Sequence, residues 1–275
     1  MTSSIASTAD SSLLLIGLAA LLAVLAAHVA LGWLHEAQRR VGYFGPRGVA
    51  LLVAAAALGS GLCAASVLAL AGEALSFPLG YRAQQALLLW LAAIGGSALI
   101  GLVLLSSVRW WAVSLAGVGL GGLVLALHVG WVEAAGLRPG VTWAPVFVGV
   151  AGALLSVGCC TGLWLNWSDT GGPRMRRGSW RTGAAVLIGL SIITGLEVLN
   201  SGLPLPSQIG SVYLRQLPGN VLSLLGGVLL PLVLSVMAID LKMRRRHRRH
   251  SRRQSTTGSA PMYRKERRRH KIPTI

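Results

Sequence analysis

Apolar residues gather along this chain in seven long stretches, at about 12–34, 48–72, 84–107, 111–132, 143–165, 183–202 and 219–241. Each is long enough to cross a bilayer, which takes roughly 20 residues of helix. Runs of this length satisfy their backbone groups in lipid only as helices, because no water is there to hydrogen-bond an open strand. The pattern stops after Leu241, where a tail from Lys242 to Lys271 is dominated by Arg and Lys. Each such cation would cost about 2.5–3.5 kcal/mol at the bilayer centre. The pattern therefore predicts an all-α, polytopic membrane helical bundle of seven transmembrane helices over residues 1–241. A disordered basic cytoplasmic tail over 242–275 completes the chain.

The connections alternate in charge. One set holds Arg39, Arg40 and Arg47, then Arg109, then Arg174, Arg176, Arg177 and Arg181, and finally the tail; the other holds Arg82, Arg138 and Arg215, offset by Glu73 and Glu133. Short loops rich in Lys and Arg stay cytoplasmic. This places the N-terminus outside and the C-terminus inside. The segment before the first span carries Asp10 and no Lys or Arg, so it lacks the positive start of a signal peptide, and the first span is read as retained.

The even-numbered spans share a habit. They carry Gly59-Ser60-Gly61, Gly117 to Gly122, and Gly189-Leu190-Ser191, each followed by a polar or soft residue: Cys63 and Ser66, His128, and Glu197. The pattern reads as three helix-pair repeats plus a seventh helix. The small residues are first of all places where helices approach closely.

Composition changes the picture only in locating the charge. Hydrophobic residues make up 53% of the chain and charged residues 12%, against a typical share of about 25%, which excludes an ordinary soluble domain. Of 25 Lys and Arg, fourteen follow Leu241; with Glu266 subtracted the tail carries +13 of the net +17, and the rest is near neutral. Cys63, Cys159 and Cys160 form no disulfide framework and no C-x-x-C pattern.

Ionisable groups inside spans are costly and usually face the bundle interior. Glu197, in span 6, and His128, in span 4, lie at comparable depth in successive repeats, so they are expected to face each other across the outer half of the bundle. Cys63 and Ser66 complete this candidate intramembrane polar site. A metal there would have to take one imidazole, one carboxylate and the Cys63 sulfur, which makes His128, Glu197 and Cys63 the available ligands. His28 lies too far toward the cytoplasmic side to join them, and His35 and Glu36 read as interfacial and solvated. Soluble-enzyme signatures are missing: there is no phosphate-binding Gly loop, no H-E-x-x-H and no nucleophile elbow. An enzyme would have to draw on Glu73, Tyr81, Arg82, Glu133 and Arg138 in an outer cavity. Asn166-Trp167-Ser168 matches a glycosylation sequon, but on the cytoplasmic side. Trp110, Trp111, Trp131, Trp143, Trp167 and Trp180 fall near span ends, as an aromatic belt would.

In the tail, Arg244, Arg245, Arg246, Arg248, Arg249, Arg252 and Arg253 have no apolar periodicity between them. A juxtamembrane cluster of this kind is attracted to anionic lipid headgroups at about 1 kcal/mol per basic residue near the surface. Nucleic acid would answer the same charge without sequence preference, but lipid is nearer.

The repeat plan resembles the bacterial MHYT-domain family of integral membrane sensors, with the best-looking stretches at Leu13 to Arg40 and Leu154 to Gly202. Those domains have helix pairs in triplicate and a Met-His-Tyr-Thr type motif near the outer ends of helices 2, 4 and 6. In this chain the motif is degenerate: Leu127-His128 stands on helix 4, Ser66 near the place on helix 2 and Leu196-Glu197 on helix 6, without the Met, Tyr or Thr. The resemblance implies metal binding, copper above all, sensing of small gaseous ligands, and output through a cyclic-dinucleotide enzyme or kinase, here a separate signalling protein. The leading expectation is a non-enzymatic sensor in the cell membrane with a degenerate ligand site near the outer face. The alternative is a small transporter or proton-linked channel using Glu197 and His128.

Overall fold

A computed structural model of the chain describes residues 2–39, 45–73, 79–106, 109–138, 143–168, 176–203, 210–211, 213 and 216–258. Six long helices come first: α1 (Thr2–Gln38), α2 (Pro46–Gly72), α3 (Ala83–Ser106), α4 (Trp110–Ala134), α5 (Pro145–Ser168) and α6 (Arg176–Ser201). The last apolar stretch is built from α7 (Gly219–Leu224), a π-helical turn (Leu225–Leu229) and α8 (Leu230–Gly258). Among the described residues, seven segments are long and apolar enough to cross a membrane: Ser12–Gln38, Pro46–Gly72, Ala83–Ser106, Trp110–Ala134, Pro145–Trp167, Ser179–Ser201 and Gly219–Arg244. They agree with the seven expected windows to within a few residues, and the protein is an all-α integral membrane protein. Local chemistry sets several starts. Pro46 opens α2, where its missing N–H costs nothing, and Pro218 stands immediately before α7.

The first six helices close a ring in which each packs on the next and α6 returns to α1. The even helices also touch one another, so α2, α4 and α6 form its interior. Burial follows the same division: 72% of the apolar window of α2 is buried, against 22% for α3 and 28% for α5. The glycine clusters mark the crossings. A Cβ at Gly59 would fall 2.7 Å from the Ala93 carbonyl carbon, one at Gly121 2.8 Å from the Ser156 nitrogen, and one at Gly189 2.7 Å from the Val24 nitrogen. Each even helix thus meets the following odd helix backbone to backbone, with α1 following α6. The three helix-pair repeats read from the sequence recur as three contacts of one kind.

Three of the connections meet at one end of the bundle. There β1 (Gly80–Tyr81) pairs antiparallel with β4 (Leu217–Pro218), and β2 (Leu137–Arg138) with β3 (Gly210–Ser211). Ser211 fastens the two ladders together: its hydroxyl accepts from the Gly80 N–H at 3.0 Å and lies 2.9 Å from the carbonyls of both Gly80 and Ala135. The Arg82 N–H donates to Ala134 O at 2.9 Å and the Gly219 N–H to Leu79 O at 2.8 Å, closing the cap further. Gly136, at φ 58°, turns the chain from α4 into β2, and the Tyr213 ring lies where its Cβ would be. Only glycine satisfies both demands.

The opposite end carries the arginines. Arg47 Nη2 donates to Leu105 O at 3.1 Å, and Arg181 Nη2 reaches His28 Nε2 at 3.1 Å, tying α6 to α1. Glu36, expected to be solvated, is 2% exposed. An interfacial position along the sequence does not place a side chain on the outside of a ring.

The chain divides into two compact units, Met1–Ser235 and Val236–Ile275. In the second, α8 continues to Gly258 through a segment expected to be disordered. Adding residues to an existing helix avoids the nucleation cost, and Arg and Lys are good helix formers. Residues 259–275 lie outside the described residues.

Candidate functional site: a polar chamber under the cap

Cys63, Ser66, Leu70 and Glu73 follow one another at helical spacing on one face of α2. His128, Trp131 and Ala135 do the same at the end of α4, as do Glu197 and Asn200 on α6. The ends of the three helices converge beneath the cap, where Glu73 and Asn200, among apolar side chains such as Leu70, Val132, Ala135 and Leu203, line a cavity of about 20 Å³, enough for one water.

His128 is fully buried, and its Nε2 lies 2.7 Å from Asn200 Oδ1. Because that oxygen only accepts, Nε2 carries the proton and Nδ1 is left as an acceptor. Nδ1 has no partner among the described residues, and neither does Asn200 Nδ2, which is the end of the amide left to face the cavity. Ser66 Oγ, Tyr81 OH, Trp131 Nε1 and Glu197 Oε1 are likewise buried and unpartnered among the described residues. A buried polar group left unsatisfied costs about 1–3 kcal/mol, so this set is expensive and calls for small polar guests.

Aromatic rings form the wall. Tyr81 descends from the cap and meets Trp131 edge to face, with centroids 5.4 Å apart and planes at 86°. Its phenol is wholly buried, and burial pushes its pKa upward, so it stays neutral. Trp143 approaches His128 with centroids 6.5 Å apart. Trp131, expected in the aromatic belt, is 3% exposed and stands beside the Cys63 thiol instead. Trp110, Trp111 and Trp180 are exposed, as belt residues should be.

The sequence expectations are redistributed by this geometry. His128, Ser66 and Cys63 are buried, with Cys63 Sγ 3.9 Å from Leu89 O. The expected pair of His128 with Glu197 gives way to His128 with Asn200, one turn further along α6. Glu197 is half-buried and close enough to Glu73 for their charges to interact. A neutral imidazole loses less by pairing with a neutral amide than a buried carboxylate would cost, which explains the exchange. Sequence reasoning passed over Asn200 because it is not ionisable. His128, Glu197 and Cys63 do not gather as metal ligands: among the described residues no group of three or more His, Cys, Asp or Glu could hold a metal ion. The copper implied by the family resemblance therefore does not fit these residues. Of the tail arginines, Arg244 pairs with Asp240 at 2.8 Å on the exposed face of α8. Arg245, Arg246, Arg248, Arg249, Arg252 and Arg253 lie on the same helix, and their side chains are outside the described residues.

No protein-family model, no curated protein and no solved structure matches the chain.

Proposed function

We propose that this integral membrane protein is a non-enzymatic sensor whose ligand-responsive element is the chamber under the cap, acting through a separate partner at its arginine-rich face. One observation carries the reading. At the capped end His128 of α4 is buried against Asn200 of α6, and farther from the cap Leu62, Leu120, Leu155, Ile188 and Ile192 are each at most 2% exposed. A transporter or proton-linked channel needs a continuous polar path, and this apolar layer interrupts it. A site that is polar, enclosed and dead-ended can register occupancy without passing its occupant on.

The MHYT-type plan belongs to the same proposal, in the limited sense of architecture: helix pairs in triplicate, with the polar positions on the second, fourth and sixth helices. The family's metal is left out of it. The chamber is placed at the outer face of the cell membrane by the charge of the loops, and the basic segment after Leu241 is assigned to anionic lipid headgroups.

The test uses full-length protein in liposomes, with spin labels at the Ser106 and Ser179 positions near the arginine-rich end. Substituting His128→Ala should change the distance distribution between the labels, while proton flux stays at the level of empty liposomes. Flux above that level that disappears with His128→Ala would replace the sensor with a channel. An unchanged distance distribution would remove the coupling on which sensing depends.

A further inference from the structure

A second cavity lies at the other end of the ring, and its lining carries no ionisable or amide side chain. It measures about 40 Å³ and is walled by Leu31, Leu34, Leu51, Ala54, Ile100 and Leu104, among other apolar side chains. One hydroxyl enters it, that of Ser97 on α3. Ser97 is 3% exposed, and its Oγ has no hydrogen-bond partner among the described residues.

Among the described residues only the Ser66 hydroxyl shares this state on a helix. Serine and threonine in helices satisfy themselves cheaply by bonding back to a carbonyl one turn earlier. Ser114 does so to Trp110 O at 3.2 Å, Thr161 to Val157 O at 2.7 Å, Ser191 to Leu187 O at 2.7 Å and Ser201 to Glu197 O at 2.8 Å. Ser97 does not bond back, although it is the more deeply buried group and has the most to lose. Water is a poor guest for this cavity, since a buried water needs two to four polar partners and the lining offers one. A charged guest would find no counter-charge in the lining.

We propose that this cavity is a binding site for a small, uncharged, mostly apolar molecule bearing one hydrogen-bond acceptor oxygen, to which the Ser97 hydroxyl donates. At about 10–15 Å³ per water-sized probe, the space admits roughly three or four heavy atoms. The guest arrives from the bilayer. α3 is the least buried helix of the ring, and a molecule of this class concentrates in lipid. The site is separate from the chamber under the cap and does not rest on the sensor reading.

Propanone and 2-methylpropene test it, because they have the same shape and differ in whether the apolar body carries an oxygen or a methylene group. Binding is read by saturation-transfer NMR on the full-length protein in nanodiscs. Both probes should bind the wild-type protein. Ser97→Ala should weaken propanone about five- to tenfold, the worth of one net hydrogen bond, and leave 2-methylpropene within about twofold. Ala54→Leu, which fills the cavity from α2, should abolish both; if that variant does not fold, Ser97→Leu fills the same space from α3. Signals unchanged by filling would mean partition into lipid alone and would overturn the site. Propanone binding unchanged by Ser97→Ala would overturn the role of the hydroxyl and with it the ligand class.

Discussion

The two ends of the helix ring solve the problem of a dry interior in opposite ways. Under the cap, His128 pairs with Asn200 and Tyr81 packs on Trp131, α2 and α6 carry the further buried polar atoms of Ser66 and Glu197, and the loops above are laced together by backbone bonds and the Ser211 hydroxyl. At the arginine-rich end the same helices present alanine, leucine and isoleucine to a cavity with a single hydroxyl in it. The contrast runs along the helices themselves: of the five buried polar or charged side chains among the described residues, Ser66, His128 and Asn200 stand on α2, α4 and α6, and Glu36 and Ser97 on α1 and α3. Burying one such group is expensive; burying several together allows each to be a partner for the others or for a shared guest.

The comparison can be broken most forcefully at the cap. Gly136→Val would place a β-branched residue at φ 58° and drive its side chain into Tyr213. A loss of about 3 kcal/mol is expected from backbone strain and overpacking together. Unfolding in SDS, followed by tryptophan fluorescence, measures it. A loss below about 1 kcal/mol would mean that the cap contributes little to the fold.

A smaller effect sharpens the contrast between polar and apolar ends. Asn200→Leu strands the buried N–H of His128 and should cost about 2 kcal/mol by the same measurement. Adding His128→Leu should recover most of that loss, because removing both partners is cheaper than removing one. Ser97→Ala, at the apolar end, should cost nothing and raise stability by up to about 1 kcal/mol, since it deletes a buried hydroxyl with no partner among the described residues. Equal costs at the two ends would dissolve the distinction.

The smallest effect concerns pH. Burial raises the Tyr81 phenol above its ordinary value of 10.0. The folded state therefore holds that proton more tightly than the unfolded chain. The corresponding stability is fully present below about pH 10 and is lost as pH rises through the folded value. Tyr81→Phe should flatten the decline in stability between pH 9 and about pH 11. An identical decline in the variant would assign it to other groups.

Much of the bundle was legible in the sequence because lipid enforces a simple rule: a span must be apolar for about 20 residues. The glycine clusters of the even spans were legible for a related reason, since close helix approach demands small residues. His128 was found because a buried imidazole is conspicuous. Its partner was not, because asparagine is inconspicuous and the ring turns α6 so that Asn200, rather than Glu197, faces α4. Trp131 and Glu36 misled in the same manner. Both stand near span ends, where position alone puts side chains in the interface, and both are turned inward by neighbours far away in sequence. The cap was invisible, because two-residue ladders leave no hydrophobic pattern.

The bond between His28 and Arg181 joins positions 153 residues apart. A ring whose first member is also neighbour to its last cannot close until its sixth helix has been made. Until α6 enters the bilayer, the face of α1 that will meet Gly189 has only lipid or a chaperone against it. Closure is then a single late event, and a ribosome stalled before α6 would release an open arc of helices in which both the chamber and the cavity are incomplete. Quality control needs to recognise only one seam, between α1 and α6, to tell a finished molecule from an unfinished one.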